Sequence, residues 1–405
     1  MARIIIIGPS QPSRTPRLVR NADALSAAGH EVTVITPVLE HSMLAFDSEL
    51  VARSKWKYLP VSLLNSAGEI GFSYRIFRKI IYSIASKLPL PRFGSKALIY
   101  GEPKMASVLK HLDADMYLAQ QQASLPLVAQ VAKKRNKNYA CDIEDILTES
   151  STEPVQLLAS IEMQYLKNAS VVSTMSAVAA EYLDGSLDMA HKVLSLHNCS
   201  NIEEREGVKA PTVLSATKPS IYWFGQTLGP HSLATELIMA NAAAGHPFRI
   251  ILRGRPVANY LQKISEISRA SGSVDLVEIL PIVKASEMVS EAAKYDVLFG
   301  SQPSQQLFHQ LAIGNKVFTG LLAGCALLLT DTIAHRKLAP ELQGGIRLVG
   351  NDHDALVSAL ESLAKNQHEL LEMRKASWNS GTARYHWAEE CKPWVSAINA
   401  ALKGQ

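Results

Sequence analysis

The chain has 405 residues, 47% hydrophobic and 19% charged, with a net charge of +4. That length suits two domains of ordinary size, and the composition excludes a disordered or low-complexity protein. The mild charge excludes a dedicated nucleic-acid binder, so no nucleic-acid partner is expected.

The cysteines Cys141, Cys199, Cys325 and Cys391 are far apart. They show neither zinc-ligand nor disulfide spacing, which fits a reducing, cytoplasmic compartment. No apolar run approaches the ~20 residues needed to span a bilayer.

Taken in order, residues 2–7 read as a strand, 8–14 as a Gly/Pro/Ser turn, 16–28 as a helix with proline near its start, and 31–36 as a second strand. This βαβ unit lacks the full Gly-x-Gly-x-x-Gly fingerprint, so its glycine loop, with Gly8 and Ser10, is expected to face a sugar or an acceptor and not a dinucleotide. Residues 72–88 form a basic amphipathic segment. On a helical wheel Phe72, Ile76, Phe77, Ile80, Ile81, Ile84 and Leu88 share a broad side, Arg75, Arg78 and Lys79 gather opposite, and Lys87 falls within the apolar side. Such a helix either packs on its own domain or lies on an anionic membrane, with Arg92 and Lys96 extending the positive patch.

A helix near 98–112, a strand at 115–119, a helix at 124–134 and a strand at 139–142 follow. The last strand delivers Asp142, Glu144 and Asp145 at its carboxyl end, the edge where open α/β sheets bind ligands. Three close acids repel one another unless they have different partners, so one is assigned to helix capping and one to chemistry. A helix to Leu166 and strands at 169–174 and 192–196 complete the half.

Residues 200–218 break into charges and then Pro, Thr and Ser, which reads as a linker. Strands are then expected at 221–224, 248–252, 276–280, 296–299, 325–330 and 346–349. The run 315–331 combines a helix, a glycine stop at Gly324 and a buried strand; Asn315 and Lys316 stand at the helix start, where free N–H groups meet anions. The fold class is therefore α/β, two Rossmann-like doubly wound parallel sheets facing a cleft. The expected division is 1–205, a linker at 206–218, and 219–387, with a final helix at 388–405 returning to the first domain.

Four motifs in order, Asp-Ile-Glu-Asp (142–145), Ser-Ile-Tyr-Trp-Phe-Gly-Gln-Thr-Leu-Gly-Pro (220–230), Ile-Leu-Arg-Gly (251–254) and Asn-Lys-Val-Phe-Thr-Gly-Leu-Leu-Ala-Gly (315–324), resemble those of GT-B nucleotide-sugar glycosyltransferases, closest to family 4. The resemblance implies a GT-B architecture, acceptor binding in the first domain, and donor binding in the second. Where such enzymes carry an arginine and a lysine for the diphosphate, this chain has Gln226 and His231, near Gly229. The ribose glutamate matches Thr319, and no first glutamate is recognisable.

The anion grip is then expected from Arg253 and Lys316, with Asn315 and Thr319 nearby. On the acceptor side stand Gly8, Ser10 and Asp145, with Glu144 and Asp142 as catalytic candidates. The resemblance further implies a retaining transfer without metal or cofactor, from a nucleotide sugar to a glycan or lipid-linked hydroxyl, as in bacterial surface polysaccharide synthesis. A carboxylate acting as essential base would make inversion the alternative. A GT-B epimerase and a silent binding subunit of a glycan assembly complex also stay open.

Overall fold

A computed structural model describes residues 1–150, 153–189, 193–216, 218–303, 305–350 and 352–404. Lys192, where a strand was expected to begin, and Thr217 of the expected linker lie outside the described residues. The chain forms two compact units, Met1–Leu196 with Cys391–Gln405, and His197–Glu390.

The first unit is a parallel sheet in the order β3-β2-β1-β4-β5-β6-β7. The strands are β1 (Arg3–Ile7), β2 (Glu31–Val38), β3 (Lys57–Ser62), β4 (Met116–Gln120), β5 (Asn138–Ile143), β6 (Val171–Thr174) and β7 (Leu194–Ser195). Ile4 to Ile7 are buried without alternation, as in a strand covered on both faces. Strand β3 escapes a sequence reading because it lies at the edge, buries only Val61 and contains Pro60, which an edge position tolerates.

The second unit has the parallel order β10-β9-β8-β11-β12-β13, with β8 (Ser220–Leu228), β9 (Arg249–Pro256), β10 (Val277–Leu280), β11 (Val297–Gly300), β12 (Ala326–Thr330) and β13 (Ile346–Val349). All six expected strands are present, but β8 runs on through a bulge between Phe224 and Thr227 where a loop was expected. The helix Asn315–Ala323 ends at Gly324 with φ +69°, the left-handed stop, and a side chain there would crowd Pro211 and Trp378.

In each sheet the direction of travel reverses beside the first strand, between β1 and β4 and between β8 and β11. Ligands in open α/β sheets bind beyond the strand carboxyl ends at such reversals.

Two boundaries differ from expectation. Residues 206–216 do not form a free linker but belong to the second unit. The Ser215 N–H donates to Asp296 (2.8 Å), whose carboxylate also pairs with Arg374 (2.7 Å). Just upstream, Arg205 stacks 3.4 Å above Trp378 and donates to the Leu322 carbonyl. The final helix, Trp387–Lys403, starts in the second unit and enters the first at Cys391. There His30 meets Asn399 (2.8 Å), Asn138 donates to the Ala401 carbonyl (2.8 Å), and Trp394 and Ile398 are buried.

Candidate functional site

In the first unit the register aligns Gln120, Asp142 and Ser173 across β4, β5 and β6, so their side chains form a row on one face. Asp142 is the hub. It accepts two bonds from Arg17 (2.6 and 2.7 Å), and one each from Asn21 (2.8 Å), Gln120 (3.0 Å) and Ser173 (2.7 Å). Arg17 is in turn tied to the Leu196 carbonyl. Burial opposes the charge on both partners, but their mutual attraction wins: Asp142 titrates below and Arg17 above its ordinary value. Asp142, expected to share the chemistry, has no exposed surface and all these bonds are internal.

Glu144 is different. Half-buried, it is held by Gln120 at Oε1 (2.7 Å) and Gln121 at Oε2 (3.2 Å), so both amides grip one carboxylate. Gln121 adopts φ +66°, a left-handed conformation that a residue with a side chain rarely takes, and one that clusters at functional sites. Burial pushes the Glu144 pKa up to about 7; Arg17 pulls it down, while Asp142 and Asp145 push it further up. A carboxyl near neutrality can both give and take a proton at working pH.

Asp145, also raised by burial, does not cap a helix with its side chain; its backbone carbonyl accepts from Gln122, which also bonds Glu162. Ser10 is half-buried in its loop. Gly8 has a packing reason: a side chain there would strike Leu18 at 2.3 Å and Thr36 at 3.2 Å.

In the second unit Lys316 stands at the first turn of the Asn315–Ala323 helix, beside exposed Asn315. Its ammonium lies 5.3 Å from the Trp223 ring and 5.8 Å from Phe224, and no carboxylate among the described residues pairs with it. Burial lowers its pKa to about 8, so it remains largely charged at neutral pH. His231 sits 6.1 Å from Trp223, ring to ring, and its Nε2 bonds the Thr227 carbonyl (3.0 Å). Trp223 donates to Ser301 Oγ (2.9 Å), which bonds the His231 carbonyl (3.3 Å). Gln226 is exposed on the bulge, and Gly229 is buried beneath the His231 ring.

Two expected donor ligands are largely buried. Arg253 is 5% exposed, and its guanidinium donates to the Tyr222 hydroxyl (2.8 Å), the Pro281 carbonyl (2.7 Å) and Glu291 (2.7 Å), which braces the sheet edge. Thr319 is 3% exposed.

The 72–88 segment is also turned about. In the Phe72–Lys87 helix Arg78 faces inward, stacked 3.5 Å over Tyr100 and bonded to the Leu98 carbonyl (2.8 Å), so it leaves the expected cationic face. Arg75 and Lys79 are exposed. The apolar residues point out: Phe72 is 73% exposed, Phe77 54% and Leu88 59%. Among the described residues no helix is long and apolar enough to cross a membrane.

The sequence reading missed Arg17, Asn21, Gln120, Gln121, Trp223 and Ser301. One signal was legible: three consecutive glutamines, 120–122, at a strand's carboxyl end, where an apolar helix start would be ordinary.

The chain has the GT-B fold, and solved structures of that fold align along its whole length. Sucrose-phosphate synthase from Thermosynechococcus elongatus matches with TM-score 0.72 at 12% identity, covering 100% of both chains. Anabaena HepE in complex with UDP and glucose matches with TM-score 0.69 at 12% identity, over 99% of this chain and 100% of that one. A putative UDP-N-acetylglucosamine 2-epimerase from Listeria monocytogenes matches with TM-score 0.60 at 11% identity, over 100% of this chain and 98% of that one. No family model and no curated protein matches the sequence.

Proposed function

We propose that the protein is a nucleotide-sugar glycosyltransferase. The observation that carries the reading is Lys316: a cation without a carboxylate partner among the described residues, at a helix N-terminus, over an aromatic floor and at the carboxyl edge of a reversing GT-B sheet. A nucleoside diphosphate supplies the charge that such a place lacks. In this reading the second unit binds the donor and stabilises the departing diphosphate, which needs no metal. The first unit holds the acceptor hydroxyl of a glycan or lipid-linked acceptor, with Glu144 orienting it or taking its proton. Transfer is retaining and of the family 4 kind, in bacterial-type surface polysaccharide synthesis.

A thermal-shift panel of nucleoside diphosphates and their sugars, followed by transfer of a labelled sugar, tests this; a ligand at 100 times its Kd raises stability by about 2.7 kcal/mol. No shift with any of them would refute the donor site. The second reading, an epimerase, is favoured by the epimerase among the structural matches, and isomerisation of the donor without acceptor would establish it.

The acceptor reading extends to a membrane surface. The outward apolar side of the Phe72–Lys87 helix is flanked by exposed Arg75, Lys79, Lys87, Arg92 and Lys96, a charge arrangement complementary to anionic lipid. Sedimentation with anionic vesicles that is lost in an Arg75→Glu, Lys79→Glu variant supports it; a wild type that stays in solution with such vesicles refutes it.

A further inference from the structure

His231 occupies the family's lysine position, and its ring geometry gives that substitution a consequence. The Nε2 atom lies 3.0 Å from the Thr227 carbonyl oxygen, which can only accept, so Nε2 carries a hydrogen and donates. The neutral ring therefore presents a bare lone pair at Nδ1. Gly229 lies beside that edge, and a Cβ on it would stand 3.4 Å from Nδ1 and 3.5 Å from Cε1. An anion approaching Nδ1 meets repulsion from the neutral ring and an N–H donor from the imidazolium.

Resting on the donor-site reading, we propose that a nucleoside diphosphate sugar binds at Nδ1 of His231 in its imidazolium form, so that donor binding takes up one proton. The charged groups that bear on the ring are Lys316 from the Asn315–Ala323 helix and His309 from the Leu307–Leu311 helix; among the described residues no carboxylate offsets them. In the free protein burial, joined by Lys316 and opposed by the bond to the Thr227 carbonyl, holds the His231 pKa below its ordinary value, which favours the neutral ring at pH 7. A bound diphosphate reverses the balance by placing two negative charges beside the ring.

The sign follows from linkage. Between the free and the bound pKa of His231 the complex holds one more proton than the free protein, and affinity falls up to about tenfold for each pH unit gained. A lysine in the same place would stay charged throughout. Lys316, with a pKa of about 8, contributes no such slope below pH 7.

The test is calorimetric titration with UDP-glucose, whose diphosphate diester does not itself titrate here, at pH 5.5 to 7 in two buffers of different ionisation enthalpy. The expected result is affinity falling about tenfold across that range with net proton uptake, and a His231→Lys variant that binds without slope or uptake. UDP-glucose binding in the wild type with flat affinity and no proton uptake overturns the proposal and leaves the donor site standing. Uptake that persists in His231→Lys overturns it as well, by moving the proton to His309. Absence of binding to the folded wild type at every pH by UDP-glucose and by every other nucleoside diphosphate sugar of the thermal-shift panel overturns both the proposal and the donor site.

Discussion

Burial holds Glu144 at a cost in stability, and Glu144→Gln tests that cost separately from a role in chemistry. Its carboxyl titrates at about 7 in the fold against 4.5 in an ordinary setting, chiefly because burial strips water from the charged form. The unfolded chain therefore releases its proton first as pH rises. Between pH 4.5 and 7 the native state holds more protons than the unfolded one, so this group's contribution is most favourable below 4.5 and is lost as pH rises to about 7.

At about 1.4 kcal/mol per pH unit the full cost is about 3.5 kcal/mol. Partial exposure of the group screens that cost, and an amide at 144 forfeits one of the bonds that Gln120 and Gln121 now donate, so a net gain of about 1 to 2 kcal/mol remains. Glu144→Gln should accordingly unfold at higher urea than wild type at pH 8 and show no advantage at pH 4.5. Sugar transfer should fall at least about a hundredfold, as for loss of a positioned acid or base. Equal stability of the two proteins at pH 8 would refute the burial argument, and near-normal turnover would refute the catalytic one.

Lys316→Ala should weaken UDP-glucose binding at least about tenfold, the scale of a lost charge-assisted bond, without moving unfolding at pH 7 to lower urea, since burial disfavours the lysine's charge. Arg253→Ala should do the opposite, destabilising the second unit by about 1 to 3 kcal/mol in urea because Tyr222, the Pro281 carbonyl and Glu291 lose a buried donor while Glu291 keeps Lys294; a specific loss of affinity with intact stability would make Arg253 a donor ligand. Arg17→Ala should cost about 3 to 5 kcal/mol by stranding Asp142 inside the first sheet, and Arg17→Met with Asp142→Leu should recover most of it, as chemical denaturation can measure. Removing residues 391–405 should raise hydrogen exchange in β1, β2 and the His30 turn while β8 to β13 remain protected; exchange rising mainly in the second unit would place the helix there.

What the sequence determined by itself was the alternation. Runs such as Ile4–Ile7 and Ala326–Thr330 are apolar without period because both faces of their strands are covered, and helices between them connect parallel strands. Gly324 announced the end of its helix because a left-handed residue stops it there, and Lys316 was legible as a cation at a helix start with nothing local to neutralise it. Tertiary structure decided whatever depends on a partner distant in sequence. Asp142 and Glu144 are chemically alike and two residues apart; Arg17, 125 positions upstream, closes off one and leaves the other to titrate near neutrality. Arg253 and Lys316 both looked like free cations at sheet edges, and Glu291 separates them by claiming the first. The Phe72–Lys87 helix follows the same rule: its wheel showed an apolar and a basic side, but Tyr100 and the Leu98 carbonyl draw Arg78 inward and so turn the apolar side to the surface. Periodicity is a property of neighbours along the chain, whereas charge pairing and burial are settled by contacts that form only once the sheet has assembled.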